Sequence, residues 1–276
     1  MKYETLRNIQ IPKIGFGSAR LGGRFVGGIL ADRSRDEFFL SALRSALHLG
    51  YIHFDTAELY GAGHAEELIG RAVFESGLKR EKIFVTTKIW PTHLAYKNVL
   101  RSCENSLRRL QMNYVDLYLI HWPNPFVPLK ETFRALNQLV REGRVKHIGV
   151  SNFNLKLIQR VQALCETPIF ADQVPYSLTH RYYAKNGTLE YCQQNNILVT
   201  GYTPVNHGHI EVEQTLQSIA DAHHATPYQI ALAWLVNQPR VITIPMSFSA
   251  KHQKENLDAA DIELTPAEMN QLNALG

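Results

Sequence analysis

Short β-branched runs and stretches with helical apolar spacing alternate along the chain. The runs fall at residues 51–55, 83–88, 115–121, 146–150, 169–174, 197–202 and 241–244, with an eighth candidate at 14–17. Between them apolar residues recur at helical intervals, as in Phe38, Ala42, Leu43, Ala46, Leu47 and again in Phe133, Leu136, Leu139, Val140. The strand-to-strand interval is about thirty residues, the length of a βαβ unit. Parallel strands require such crossovers, because a tight turn only reverses the chain. Helix punctuation agrees: Thr226-Pro227 offers a capping hydroxyl and an N1 proline before a buried helix at 228–236, and Gly50, Gly77 and Gly143 fall just past helical stretches. Eight unbroken alternations predict an α/β fold, a (β/α)8 TIM barrel with residues 1–276 forming a single domain, ahead of an open doubly wound sheet. Leu21-Gly22-Gly23 and Val26-Gly27-Gly28 lack the spacing of a Gly-x-Gly-x-x-Gly turn after the first strand, which argues against a Rossmann dinucleotide fold.

The polar residues at the C-terminal ends of the strands carry the chemistry. The second strand ends in Asp55 and is followed by Thr56-Ala57-Glu58-Leu59-Tyr60-Gly61. The third ends in Thr86-Thr87-Lys88, the fourth in His121-Trp122-Pro123, and the fifth runs into Ser151-Asn152. Asp172-Gln173 lies on the sixth and Gly201-Tyr202 closes the seventh. In a (β/α)8 barrel these ends converge on the mouth that holds the active site. Singly, each has a plainer reading. Asp55 serves as a loop cap, Lys88 as a snorkelling surface lysine, His121 as a hydrogen-bonded core histidine and Tyr60 as a packing residue. Together they form an acid–base constellation. Reducing a carbonyl takes a hydride at carbon and a proton at oxygen. Tyrosine, with a free pKa of about 10, holds its proton at neutral pH, and a neighbouring ammonium is expected to ease its release. Asp55 would keep Lys88 charged and aimed at Tyr60, while His121 would orient the carbonyl oxygen.

Composition narrows the picture without changing it. Of the 276 residues 45% are apolar and 20% charged, and the net charge of +4 is scattered. Arg108-Arg109 and Lys79-Arg80-Glu81-Lys82 are short and lack interleaved aromatics, so no nucleic-acid partner is expected. Three widely spaced cysteines, Cys103, Cys165 and Cys192, suit neither a disulfide framework nor a zinc site. No signal-peptide core and no membrane span are evident, and a cytoplasmic monomer is expected.

These motifs resemble those of the aldo-keto reductases. The resemblance rests on Gly50-Tyr51-Ile52-His53-Phe54-Asp55-Thr56-Ala57 with Tyr60-Gly61, on Thr86-Thr87-Lys88-Ile89-Trp90, on Asp116-Leu117-Tyr118-Leu119-Ile120-His121-Trp122-Pro123 and on Ile148-Gly149-Val150-Ser151-Asn152-Phe153. They occur in family order, from about Ile11 to the C-terminal helices. The resemblance implies NADPH-dependent reduction of aldehydes or ketones, with Asp55, Tyr60, Lys88 and His121 as the catalytic tetrad and Tyr60 as general acid. It further implies that Ser151, Asn152 and Gln173 hold the nicotinamide carboxamide and that Tyr202 stacks on the ring. Thr203, Pro204 and Val205 would follow the pyrophosphate. Ile244, Met246, Ser247, His252, Glu255 and Asn256 would serve the adenosine end.

The chain departs from the family pattern at two cofactor positions. Met246 stands where the family commonly has Lys, and His252 where it has Arg, the cations that grip the 2′-phosphate of NADPH. A weaker preference for NADPH, with real use of NADH, is therefore expected. Trp90, Trp122 and Phe25 are expected to line an apolar carbonyl pocket. The sequence ends soon after a helix beginning near Thr265-Pro266, so the pocket is expected to be open and to admit small or varied carbonyls, keto-sugars included. Among subgroups the chain looks closest to short prokaryotic members of the diketogluconate-reductase type. Two other readings compete: a metal-dependent hydrolase using His207, His209, His223 and His224, and a catalytically weak protein that binds cofactor for sensing or regulation. The histidines cluster on loops rather than at several strand ends, against the first, and the complete tetrad argues against the second.

Overall fold

The computed structural model describes residues 2–23, 31–210 and 212–275. The chain divides into two compact units, Met1–Gly15 with Gln173–Gly276, and Phe16–Asp172. The first unit opens with an antiparallel hairpin, β1 (Tyr3–Leu6) and β2 (Ile9–Pro12), in which Leu6 pairs with Ile9. Its two-residue turn places Arg7 and Asn8 both at positive φ, 48° and 66°. This mirror-image turn matches strand twist, yet no Asn-Gly or Asp-Gly dipeptide announces it, and the strand periodicity gave no warning of it.

The unit Phe16–Asp172 alternates as its periodicity predicts. The order is β3 (Phe16–Gly17), α1 (Asp36–Leu49), β4 (His53–Asp55), α2 (His64–Glu75), β5 (Phe84–Ile89), α3 (Tyr96–Leu110), β6 (Val115–Ile120), α4 (Leu129–Arg141), β7 (Val145–Ser151), α5 (Leu155–Leu164), and then β8 (Ala171–Pro175), which leads into the other unit. The strands are sheet neighbours in chain order, and β3 through β7 pair in parallel: Asp55 aligns with Thr86, Lys88 with Leu119 and Ile120 with Val150. Gly50 ends α1 in the left-handed region at φ 98°, donating back to Ala46 and Leu47, a conformation that glycine adopts without a Cβ clash.

The other unit continues with α6 (Tyr182–Lys185), α7 (Thr188–Gln194), β9 (Leu198–Tyr202), α8 (Gln214–Ala222), α9 (Pro227–Val236), β10 (Val241–Thr243), α10 (Ala250–Asp258) and α11 (Pro266–Asn273). Within it β8, β9 and β10 are neighbours, and Ile14 forms a parallel bridge to Thr243. The strand predicted at 14–17 is thus shared between that bridge and β3. α9 begins with the expected Thr226 cap, completed as a capping box by Gln229, and buries every residue from Ile230 to Val236. Lys13 is buried in this unit, where its ammonium meets Glu4 at 2.6 Å and the carbonyls of Gln238 and Val241 at 3.0 and 3.1 Å.

Two consequences are measurable. A Cβ on Gly149 of β7 would lie 2.5 Å from the Ala171 carbonyl oxygen and 2.6 Å from a Leu119 methyl. Gly149→Ala should therefore cost about 1–3 kcal/mol, read as a fall in Tm of several degrees with Gly77→Ser, which meets no neighbour, as a milder comparison. His53, buried beside Thr86, has its pKa lowered from 6.5 to about 3, first by burial and second by the Lys88 charge. The unfolded chain takes up that proton first, so His53 contributes stability above pH 6.5 that is lost as pH falls toward 3. Urea unfolding of His53→Gln should show a smaller loss of stability between neutral and acidic pH than the parent protein. Equal losses would contradict this.

Candidate active site

The β4–β5–β6 register decides which side chains meet. Asp55 closes β4 opposite Thr86, and Lys88 lies two residues further along β5, hence on the same face as Thr86. The Lys88 ammonium donates to Asp55 Oδ1 at 2.5 Å and to the Thr56 carbonyl at 2.8 Å, with neither Lys88 nor Asp55 more than 2% exposed. The backbone of β6 runs one residue beyond Ile120, where the His121 N–H donates to the Ile89 carbonyl at 3.0 Å. His121 is therefore fixed at the rim next to β5.

Tyr60 arrives by a different route, on the turn after β4. Its N–H donates to Ala57, and the chain then passes through Gly61 and Ala62 in the left-handed region at φ 58° and 55°. The Tyr60 ring faces Lys88 of β5 and His121 just past β6. Lys88 Nζ is 5.2 Å from the ring centroid, and the His121 ring meets it edge-on at 5.6 Å. Trp90 packs on His121 from another side at 5.7 Å. The structure thus brings Asp55, Tyr60, Lys88 and His121 together, with Trp90 against them. Trp122, 46% exposed, sits outside this cluster, and Phe25 lies outside the described residues.

Electrostatics assign protonation states. Burial would discharge Lys88, but the Asp55 carboxylate and then the Tyr60 oxygen more than offset it, and its pKa is raised. The Tyr60 hydroxyl behaves otherwise than the sequence suggests. Lys88 pulls its pKa down, yet loss of hydration is the larger effect and leaves it above the ordinary value. His121 drops to about 3 through burial and then the Lys88 charge, so it is a neutral imidazole at pH 7. The cluster therefore holds one lasting positive charge, one proton donor and one uncharged hydrogen-bonding ring.

Support behind Lys88 was not read from the sequence. Glu66, wholly buried in α2, accepts from Thr87 Oγ1 at 2.5 Å and from Arg109 Nε at 2.6 Å, tying α2 and α3 to the residue before Lys88. The available signal was a glutamate on the apolar face of an amphipathic helix.

Ser151 and Asn152 are buried at the end of β7, with Asn152 at φ 64°; its amide donates to the His121 carbonyl at 3.0 Å and to Ser151 Oγ at 2.9 Å. The remaining candidates belong to the other unit. Gln173 is buried on β8, Tyr202 ends β9, and Thr203 follows at φ 50° before Pro204 and Val205. Ile244 is buried, Met246 half-buried, and Ser247 Oγ accepts from the Ser249 N–H at 3.1 Å. Ser249 caps α10, which carries His252, Glu255 and Asn256; Lys251 is exposed and reaches Glu255 at 3.7 Å. Among the described residues no group of three His, Cys, Asp or Glu could hold a metal, and His223 bonds Glu268 at 2.8 Å. No helix among them is long and apolar enough to cross a membrane.

Comparison with known proteins extends this geometry. The thermostable aldo-keto reductase Tm1743, solved with the inhibitor epalrestat, superposes with a TM-score of 0.96 at 44% identity over 100% of both chains. An aldo-keto reductase from Klebsiella pneumoniae in complex with NADPH superposes at 0.87 with 32% identity, covering 100% of this chain and 95% of that one. Glyoxal reductase of Bacillus subtilis is 34% identical over 234 residues, 85% of this chain and 82% of its own. The expected (β/α)8 fold follows from the first two. Residues 13–276 match the aldo/keto reductase family model, and with these relatives the chain belongs to the aldo/keto reductase family.

Proposed function

We propose that this protein, working as one catalytic domain, reduces small aldehydes and ketones to alcohols with NADPH, Tyr60 giving the proton to the carbonyl oxygen. One observation carries the reading: a half-buried tyrosine beside a lysine that is fully buried, charged and bonded to an aspartate at 2.5 Å. Named reductases among its relatives favour turnover over the sensing alternative.

The residues suit the cofactor chemically. A carboxamide needs both donors and acceptors, which Ser151, Asn152 and Gln173 supply. Tyr202 offers an aromatic face for the nicotinamide. Thr203, Pro204 and Val205 serve the pyrophosphate, and Ile244, Met246, Ser247, His252, Glu255 and Asn256 the adenosine end. The first turn of α10, capped by Ser249, provides backbone N–H groups suited to a phosphate. When bound, NADPH supplies hydride to the carbonyl carbon.

The chain's own part is orientation and proton delivery. The neutral His121 ring, held between Tyr60 and Trp90, hydrogen-bonds the substrate oxygen and aligns it with the phenol. As negative charge develops there, Tyr60 releases its proton. The Lys88 ammonium, fixed by Asp55, stabilises the resulting phenolate. Trp90 and Trp122 line the substrate side, which suits small carbonyls such as the dialdehyde named for the Bacillus subtilis relative, and keto-sugars. A cytoplasmic monomer fits the scattered charge and cysteines, Cys103, Cys165 and Cys192, that are not joined in disulfides.

Tyr60→Phe removes the proton donor and preserves the ring. Carbonyl turnover should fall at least about a hundredfold while cofactor affinity stays near that of the parent, and a Phe variant that keeps turnover would sink the assignment. With Met246 and His252 in place of two cations, kcat/KM with NADPH should exceed that with NADH by no more than about thirtyfold, roughly 2 kcal/mol. Cofactor kinetics on the purified protein, alongside Met246→Lys and His252→Arg, give the measure: both variants should raise the ratio. A thousandfold preference in the parent would overturn the idea.

A further inference from the structure

The hydrogen-bond ladder between β4 and β5 does not stop where β4 ends. Thr56 N–H donates to Thr86 O at 2.8 Å, and two residues on Glu58 N–H donates to Lys88 O at 3.2 Å. The next rung would involve Trp90, but by then the backbone has left the sheet toward Tyr60. The Glu58 side chain takes over that rung: its Oε1 accepts the Trp90 amide N–H at 2.5 Å. The same oxygen faces His93 Nδ1 at 3.0 Å, and the Glu58 carboxylate is only 9% exposed.

From this geometry we infer that Glu58 is a positioning residue for carbonyl reduction, tying its turn to the Lys88 carbonyl and to the Trp90 amide just past β5 and so setting where Trp90 and Tyr60 stand around His121. The inference rests on the function proposed above. Four groups close a circuit. Glu58 holds the Trp90 backbone, the Trp90 ring packs on His121 at 5.7 Å, His121 packs on Tyr60 at 5.6 Å, and Tyr60 is two residues from Glu58 on the same turn. Glu58 itself touches no reacting atom in this scheme. An ionised acceptor suits the task, because its hydrogen bond to a backbone N–H is short and stronger than that of a neutral oxygen. A freed Trp90 amide would have to find water or drift, and the Trp90 ring would drift with it.

The substrate side should suffer more than the cofactor side, since Trp90 and His121 flank the carbonyl. The test uses the full chain with Glu58→Met, which keeps the volume and removes the acceptor, and Glu58→Gln, which keeps an oxygen acceptor. Steady-state kinetics with glyoxal, cofactor affinity by fluorescence, and hydrogen exchange of the Trp90 amide are compared. The Met variant should raise KM for glyoxal about tenfold, lower kcat no more than about threefold, and leave cofactor affinity within about twofold. Its Trp90 amide should exchange at least about tenfold faster, while the Gln variant stays within about threefold of the parent throughout. Parent-like KM in the Met variant, equal loss of cofactor and substrate binding, or an undisturbed Trp90 amide each overturns the assignment. Should Met prevent folding, Glu58→Gln together with Glu58→Ser decides by the same readouts. Absence of carbonyl turnover in the parent would refute the proposed function instead, and Trp90 exchange would then judge the Glu58 tie separately.

Discussion

A lysine ammonium shut away from water keeps its proton only if a neighbouring charge replaces the lost hydration, and Asp55 does that for Lys88. The pair lies at 2.5 Å with both groups buried, and the Thr56 carbonyl accepts a second hydrogen bond from the ammonium. An ion pair of this kind adds little net stability, because desolvating both charges offsets most of their attraction. Losing either member would leave a stranded charge, so the arrangement is costly to disturb. Its use is positional: it places a fixed positive charge beside the Tyr60 ring and adds to the burial that keeps His121 neutral.

The local structure around this pair is arranged to keep it still. Parallel register puts Asp55 and Lys88 on one face of adjacent strands, and Glu66 with Arg109 anchors the neighbouring Thr87 from the helix layer. Gly149, on β7, lets the Ala171 backbone approach closely enough to exclude any larger residue. The turn after β4 is the part not held by regular structure. It is secured by left-handed backbone at Gly61 and Ala62 and by the bonds of Glu58 to β5. Precision in the rim thus comes from a side chain substituting for backbone where the sheet has ended.

The two titrating rings illustrate competition between burial and charge. Both forces act on Tyr60, and burial wins over the Lys88 attraction, so the phenol keeps its proton until charge develops on a substrate. For His121 the two act in the same direction, and the imidazole is driven far down. A donor that is reluctant in the resting state and an aligner that never charges are complementary properties.

Strand positions, the polar residues at their ends and the α9 cap were legible in the sequence, because periodicity, β-branching and capping chemistry are local. Asp55, Lys88 and His121 stood out for the same reason: strand-end placement in an alternating α/β chain is a property of order along the chain. What tertiary structure alone decided is register, burial and reversal. The Arg7-Asn8 hairpin carried no turn signature, the net pKa direction of Tyr60 depended on how completely its surroundings exclude water, and Glu66 and Glu58 read as ordinary polar residues until their partners from Thr87, Arg109 and Trp90 arrived. Those partners lie between 21 and 43 residues away along the chain. Sequence spacing specifies which groups a segment presents; only the folded register, set by a shared core, specifies which of them meet and how much water remains between them.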